Sequence, residues 1–154
     1  MNKELTVGSK APSFSLKDQQ GTTWSLESLL AQGPCYLVFY PGDMTPGCTI
    51  QLCTLRDDWT SFQKQGIGIF GVNPGSQKGH KLFASLYHLP FPLLVDENKE
   101  VCRAYGLLSK KLGFEFVDRT VIGIDKTGTI RYIKEGMPKP AELLKEAAKW
   151  TTSE

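Results

Sequence analysis

The stretch YPGDMTPGCTIQLC, residues 40–53, follows an apolar run and carries two cysteines into a predicted helix. The run before it, residues 35–40, is continuous, aromatic and β-branched, as expected of a strand buried on both faces of a sheet. Thr45 followed by Pro46 predicts a helix start, because an N-cap hydroxyl can accept from a backbone N–H and proline is tolerated at the first helical position. This start places Cys48 in the first helical turn.

A cysteine in the first turn of a helix has unusual electrostatics. Several backbone N–H groups have no partner within the helix there, and the positive end of the helix dipole also favours an anion. The thiolate is the nucleophilic form of cysteine. Cys48 is therefore a candidate reactive thiol, and the rest of the chain is interpreted as its scaffold.

Length and composition are typical of one globular domain, which we expect to span residues 1–154. Hydrophobic residues make up 40%, charged residues 22%, and the net charge is +2. Without a basic run, a long apolar stretch or an apolar core in the first dozen residues, nothing favours nucleic-acid binding, membrane insertion or secretion. We expect a cytoplasmic protein that binds neither nucleic acid nor membrane.

The cysteines are too few and too unevenly spaced for a disulfide-built scaffold. They are Cys35, Cys48, Cys53 and Cys102. A structural zinc site would show close pairs of ligands, but the histidines, His80 and His88, lie far from the cysteine pair. We therefore expect no metal and no cofactor, and we predict that His80 and His88 are surface residues of a helix.

The first half of the chain reads as a hairpin followed by alternating helices and strands. A hairpin over residues 13–24 leads to a short helix that Ser25 caps. After the strand over 35–40, apolar spacing predicts one helix from Pro46 to about residue 63. A strand over 66–72 and a helix over 76–88 complete this half.

The second half predicts a short strand, a short helix and a final ββα unit. The strand covers residues 91–95, the helix 97–105, and a polar loop 106–116. Strands over 119–124 and 129–133 form a second hairpin, and Pro140 opens the last helix. The whole order predicts a thioredoxin-like α/β fold with an N-terminal β-hairpin extension and a central mixed sheet flanked by helices.

Residues 66–71 spell G-x-G-x-x-G, the fingerprint of dinucleotide binding. In a Rossmann unit those glycines form the turn after a strand. Here they alternate with Ile and Phe inside the predicted strand, and the turn follows at residues 73–75. We interpret them as glycines that allow close packing.

The stretch around Cys48 resembles the peroxiredoxins. Pro41, Thr45 and Cys48 form a P-x3-T-x2-C motif, and the Cys-x4-Cys pair with Cys53 is similar to the bacterioferritin comigratory protein, or peroxiredoxin Q, branch. Further blocks of agreement extend over nearly the whole chain: Ala11-Pro12-x-Phe14, Phe91-Pro92-Leu93-Leu94 with Asp96, Val101-Cys102 with Ala104-Tyr105-Gly106, and Arg119-Thr120 leading into Ile124-Asp125.

The resemblance implies a thiol-dependent peroxidase for hydrogen peroxide and organic hydroperoxides. Cys48 would be oxidised to a sulfenic acid, and Cys53 would resolve it as an intramolecular disulfide that thioredoxin or a similar dithiol reduces. Thr45 would hydrogen-bond the thiolate and the peroxide, Pro41 would shield the site from water, and Arg119 would stabilise the thiolate and align the peroxide oxygens. Because the disulfide lies within one chain, a monomer is preferred. Gln51 departs from the glutamate that the branch often has.

Structural alternatives exist for each of these residues. Thr45 could be only an N-cap, Pro41 only the end of a strand, Arg119 a surface residue, and Cys53 a small buried hydrophobe. The remaining cysteines, Cys35 and Cys102, are interpreted as structural, with Cys102 as a second candidate for the resolving role.

Two other functions stay open at this point. One is a general thiol-disulfide oxidoreductase, which would favour a C-x-x-C motif that the sequence lacks. The other is a non-catalytic thioredoxin-fold binding or chaperone-like module.

The spacing of the cysteine pair makes a mechanical prediction. Five residues along an α-helix separate the Cα atoms of Cys48 and Cys53 by about 8 to 9 Å. A disulfide tolerates at most about 7 Å. The helix must therefore unwind locally before the two sulfurs can bond.

Overall fold

The structure is a computed structural model that describes residues 5–151. Part of the segment considered for a secretion signal, residues 1–4, lies outside this range. The elements in chain order are β1 (Ser15–Lys17), β2 (Thr23–Ser25), α1 (Leu26–Ala31), β3 (Cys35–Phe39), α2 (Pro46–Asp57), α3 (Trp59–Lys64), β4 (Gly68–Asn73), α4 (Gln77–Leu86), β5 (Leu93–Val95), α5 (Glu100–Ala104), β6 (Leu108–Lys111), β7 (Phe114–Val117), β8 (Thr120–Ile124), β9 (Ile130–Glu135) and α6 (Pro140–Thr151).

Seven strands form one mixed sheet in the order β2-β1-β5-β4-β3-β8-β9. The central strands β3, β4 and β5 are parallel, whereas β8 pairs antiparallel with both β3 and β9. The N-terminal hairpin joins the edge through the pairing of Lys17 with Val95. This arrangement confirms the predicted thioredoxin-like α/β fold, its hairpin extension and its mixed sheet.

Strand β3 separates two hydrophobic clusters because successive side chains of a strand point to opposite faces. Tyr36 and Val38 pack in the cluster that also contains Cys48 and the buried face of α2. Cys35 and Leu37 pack in the other cluster with α1 and α5. The face of the sheet that carries α2 therefore also carries the candidate reactive thiol.

Two predictions of secondary structure were wrong. The single helix expected from Pro46 to about residue 63 is divided into α2 and α3, with Asp58 as the C-cap of one and the N-cap of the other. The polar loop expected over residues 106–116 contains the two-stranded hairpin β6–β7. Its turn uses Leu112 and Gly113, both with positive φ. Strand β6 is mostly polar, and Phe114 and Phe116 of β7 are exposed, so their alternation with Glu115 was a strand signal that did not mark a core face.

His80 contradicts the surface prediction, because its side chain is fully buried on α4. His88 is exposed as expected, although it lies beyond the last residue of the helix, Leu86. The amphipathic pattern of α4 gave no sign of a polar partner that would allow an imidazole to be buried. That partner is Asp43, which lies in a loop 37 positions earlier in the chain.

The G-x-G-x-x-G stretch forms strand β4, as the packing interpretation predicted. A Cβ atom at Gly71 would lie 2.7 Å from Leu93 Cδ2 and 3.1 Å from Tyr40 Cε1. Close packing of neighbouring side chains therefore requires the glycine. Within residues 5–151, no helix combines the length and apolar character needed to cross a membrane.

Candidate active site

The candidate site begins where β3 ends and α2 starts. Helix α2 begins at Pro46 with Thr45 as its N-cap, and Cys48 is its third residue, as the sequence predicted. The backbone N–H of Thr49 donates to the Thr45 carbonyl at 2.9 Å and closes the first turn. Cys48 therefore lies among the backbone N–H groups that have no helical acceptor.

The Thr45 hydroxyl does not form the capping hydrogen bond that was predicted. It donates to the carbonyl of Gly42 at 3.0 Å. Between them, Met44 adopts a left-handed conformation with φ of 60°, which folds the chain back toward Gly42. The hydroxyl therefore stabilises the loop before the helix, and its oxygen keeps acceptor capacity.

Arg119 reaches Cys48 from the connection between β7 and β8. Its Nη2 donates to the Cys48 Sγ at 3.4 Å, although the two residues are 71 positions apart in the chain. A Cβ atom at Gly47 would lie 2.9 Å from the same Nη2. The glycine beside Cys48 thus leaves room for the guanidinium group to approach the sulfur.

Gln51 completes the contact between the helix and Arg119. Its Oε1 accepts from Arg119 Nη1 at 2.8 Å, and its Nε2 donates to the Gly136 carbonyl at 3.4 Å. Sequence reasoning noted Gln51 only as a departure from the branch. The spacing of three from Cys48 was the available signal, because residues three apart share one helix face.

Cys48 is fully buried, and the guanidinium group of Arg119 donates a hydrogen bond to its sulfur. The phenol of Tyr40 lies in the same buried cluster. Burial, followed by the neighbouring Asp43 carboxylate, raises the pKa of Tyr40 well above its ordinary value. The site therefore combines a guanidinium and a helix N-terminus with a phenol that stays neutral.

The other two predicted site residues, Cys53 and Pro41, have no described contact with the Cys48 sulfur. Cys53 is a free, partly buried thiol on α2, one residue after Leu52 of the buried cluster. Pro41 is exposed at the start of the loop after Tyr40. Cys48 and Cys53 therefore share one intact helix, whereas Pro41 marks the entrance of the loop.

In the part of the chain that the structure describes, no cationic side chain donates a hydrogen bond to the remaining two cysteines, Cys35 and Cys102. Burial raises the pKa of Cys35 to about 12. Burial, followed by a hydrogen bond to Asp96, also raises the pKa of Cys102 well above its ordinary value. Among the described residues, no group of three or more His, Cys, Asp and Glu side chains could hold a metal ion.

Comparison with known proteins found similarity along nearly the whole chain. The model of the AhpC/TSA family matches residues 7–133. The chloroplastic peroxiredoxin Q of Triticum aestivum is 38% identical over 146 residues, which cover 95% of this chain and 66% of that protein. The corresponding protein of Sedum lineare is 37% identical over 146 residues, or 95% of this chain and 77% of that protein.

A solved structure agrees with these sequence relatives. The peroxidoxin BcpB from Mycobacterium tuberculosis superposes with a TM-score of 0.83 at 29% sequence identity, covering 97% of this chain and 96% of that chain. The chain spans slightly less than two thirds of the wheat relative, 66% of its length.

Proposed function

The chain belongs to the AhpC/TSA family and resembles its peroxiredoxin Q, or bacterioferritin comigratory protein, branch, and on that basis we propose that it is a thiol peroxidase. Cys48 is the peroxidatic cysteine and Cys53 the resolving cysteine. The observation that carries the proposal is the 3.4 Å contact between Arg119 Nη2 and Cys48 Sγ in the first turn of α2.

In the first step, the Cys48 thiolate attacks the terminal oxygen of a hydroperoxide. The S–O bond forms as the O–O bond breaks, and the leaving oxygen takes a proton to become water or an alcohol. Negative charge moves from the sulfur toward the leaving oxygen, and the N–H donors of Arg119 can stabilise this charge in the transition state. The Thr45 hydroxyl donates to the Gly42 carbonyl, and its oxygen can accept a hydrogen bond from the peroxide OH.

In the second step, the Cys53 thiolate attacks the Sγ of the Cys48 sulfenic acid and expels hydroxide, which leaves as water after protonation. The resulting disulfide closes within α2, so the turns between the two cysteines must first unwind. A thioredoxin-type dithiol then returns both sulfurs to the thiol state by disulfide exchange. Neither step requires a bound cofactor.

Organic hydroperoxides are proposed as substrates beside hydrogen peroxide. A small groove of about 200 Å³ lies next to Gln51, and its lining includes Ile50, Leu55, Met137 and Pro138. Ile50 and Met137 are exposed there. The groove offers apolar surface to the alkyl substituent of a peroxide whose oxygens lie at Cys48.

The test follows peroxide consumption with thioredoxin, thioredoxin reductase and NADPH. We expect Cys48→Ser to abolish turnover. Cys53→Ser should form the sulfenic acid but fail to turn over, because the resolving thiol is missing. Mass spectrometry after one equivalent of peroxide should show a Cys48–Cys53 disulfide in the parent protein.

Cys102→Ala is the matched control and should turn over like the parent. If Cys48→Ser remains as active as the parent, the peroxidase assignment is wrong and a non-catalytic module is favoured. If Cys53→Ser turns over unchanged while Cys102→Ala does not, the resolving role belongs to Cys102.

A further inference from the structure

A buried cluster lies behind the candidate active site and centres on His80. The ring is fully buried, and its Nδ1 lies 2.7 Å from Asp43 Oδ2. Its Nε2 lies 3.2 Å from the carbonyl oxygen of Asn73 and 3.1 Å from that of Leu94. The second oxygen of Asp43 accepts from the Tyr40 hydroxyl at 2.7 Å.

The partners of the ring indicate its protonation. Every described hydrogen-bond partner of the two ring nitrogens is a carboxylate or carbonyl oxygen, which can only accept from N–H. A neutral imidazole would direct a lone pair at one of these oxygens. The hydrogen-bonding pattern is satisfied by an imidazolium that donates to Asp43 on one side and to the carbonyls of Asn73 and Leu94 on the other.

Within residues 5–151, the charged hydrogen-bond partner of the ring is Asp43. The loop contributes Asp43, and Tyr40 from the end of β3 lies beside the ring, with centroids 6.2 Å apart. Burial, followed by Asp43, raises the pKa of Tyr40 well above its ordinary value, so its hydroxyl stays a donor. Strands β4 and β5 present the carbonyls of Asn73 and Leu94 to the ring, while the Asp96 carboxylate accepts from the backbone N–H groups of Val101 and Cys102.

This pair connects the loop before Cys48 to the rest of the fold. Asp43 lies five residues before Cys48, whereas His80 belongs to the first turn of α4. The fit is close, because a Cβ at Gly75 would lie 3.1 Å from both Asp43 Oδ2 and His80 Cε1. A Cβ at Gly79 would lie 3.2 Å from the same carboxylate oxygen. The sheet and α4 thus hold the loop through one partly buried carboxylate.

We propose that His80 and Asp43 are positioning residues, whose ion pair holds loop 41–47 in the arrangement that peroxide attack by Cys48 requires. The proposal rests on the peroxidase function proposed above. Neither side chain touches Arg119 or the Cys48 sulfur in the described contacts, so both act through the loop. Their loss should slow the oxidation of Cys48 and leave disulfide formation as fast or faster, because only the first step needs the ordered loop.

The kinetic test measures the two steps separately. Single-turnover mixing of the reduced protein with hydrogen peroxide, followed by acid quench and mass spectrometry, gives the rate of sulfenic acid formation and the rate of disulfide formation. In Asp43→Asn and in His80→Gln we expect oxidation to slow by about 10- to 100-fold, because small misplacements of reacting groups have effects of that size. Disulfide formation should not slow.

Each variant has a matched control on the surface. Asp57→Asn makes the same change at an exposed carboxylate, and His88→Gln makes it at an exposed histidine. Both controls should keep the parent rates for both steps. A merely structural role of the pair would lower thermal stability but leave the oxidation rate of the folded variants unchanged, and that result would overturn the proposal. Equal slowing of both steps would overturn it too.

A spectroscopic test uses the unmodified protein and needs no variant to fold. In the ¹⁵N spectrum of histidine-labelled protein at neutral pH, His80 should show two protonated ring nitrogens. A single protonated nitrogen would refute the ion pair. If the parent protein shows no oxidation of Cys48 while His80 is doubly protonated, the peroxidase function fails and the ion pair stands, so the two failures are distinguishable.

Discussion

Cys48 and Cys35 are equally buried, yet they lie in opposite chemical surroundings. Both side chains have 0% exposure, and they pack on opposite faces of the central sheet. Cys48 receives a hydrogen bond from Arg119 in the first turn of a helix. Cys35 is the first residue of β3, between β4 and β8, where burial alone raises its pKa to about 12.

This difference shows that burial by itself does not decide whether a thiol can react. Burial removes water from both sulfurs, but only Cys48 has positive groups that replace water around a thiolate. The elements also differ in what must move to reach the sulfur. Cys48 lies in the first turn of α2, whereas the strand that carries Cys35 is paired on both sides within the sheet.

The largest expected effect is a difference in labelling by iodoacetamide under native, reducing-agent-free conditions. With a pKa of about 12, about one Cys35 thiol in 10⁵ is ionised at pH 7. Exposure of Cys35 also requires the central sheet to open, whereas Cys48 and Cys53 need only local opening of α2. We expect Cys48 and Cys53 to be labelled about 10³-fold faster than Cys35, or more, as measured by peptide mass spectrometry.

The same experiment in denaturant is the control. All four cysteines should then be labelled at similar rates, since the unfolded chain gives each thiol the same surroundings. Native labelling of Cys35 as fast as that of Cys48 would mean that the contrast between the two surroundings has no chemical consequence.

A smaller but still large effect is expected when the positive partner of Cys48 is removed. Arg119→Met keeps much of the side-chain length but deletes the donor to the sulfur and to Gln51. Removal of one fixed donor to a developing charge typically costs about 10² to 10³ in rate. The second-order rate constant for Cys48 oxidation by hydrogen peroxide, measured by stopped flow, should fall by that factor.

Arg103→Met is the matched control for this change, because Arg103 is half exposed, pairs with Glu115, and belongs to α5, which packs on the other face of the sheet from Cys48. It should leave the oxidation rate within about twofold, as expected for a surface ion pair. If Arg119→Met reacts as fast as the parent, the helix start alone is sufficient for attack by Cys48.

The sequence predicted the helix start that carries Cys48 better than it predicted the residues that contact Cys48. Thr45 and Pro46 predict the start of α2 from local sequence, and the apolar run before them predicts β3. The reach of Arg119 to the sulfur spans 71 residues, and only the resemblance to the peroxiredoxins suggested it. Local pattern contains no signal for such a contact, since it depends on how β8 pairs with β3.

The errors have a related physical origin. His80 was expected at the surface because a lone helical histidine usually is, and its partner Asp43 comes from a different part of the chain, the loop before α2. The Thr45 hydroxyl was expected to cap α2, but the left-handed turn at Met44 offers it the Gly42 carbonyl instead. In both cases a polar group found its partner through the tertiary fold or through a backbone conformation that residue types do not reveal.

Asp125 allows the same comparison for a buried carboxylate. Its substitution is expected to have the smallest effect of the changes considered. Its side chain is buried at the end of β8 and accepts from Arg131 Nε at 2.6 Å and from the Thr127 hydroxyl at 2.6 Å. Burial would raise the pKa of Asp125, but the hydrogen bonds from Thr127, Arg131 and the backbone N–H of Thr129 lower it below the usual value. Like Cys48, it is a buried acid with a cation nearby.

We expect Asp125→Asn to lower the free energy of unfolding at pH 7 by about 2 kcal/mol, since hydrogen bonds to charged groups contribute about 1.5 to 3 kcal/mol. Because the folded-state pKa is depressed, this stabilisation is complete above the unfolded value of about 3.9 and is lost as the pH falls through the folded value. Urea unfolding of both proteins at pH 7, 5 and 3 should therefore show a difference in the free energy of unfolding that is constant at the higher pH values and shrinks at pH 3.

Asp57→Asn, at an exposed carboxylate, is the control and should show almost no difference from the parent at any pH. A constant loss down to pH 3 would assign the effect of Asp125 to packing, and the parallel with Cys48 would then fail.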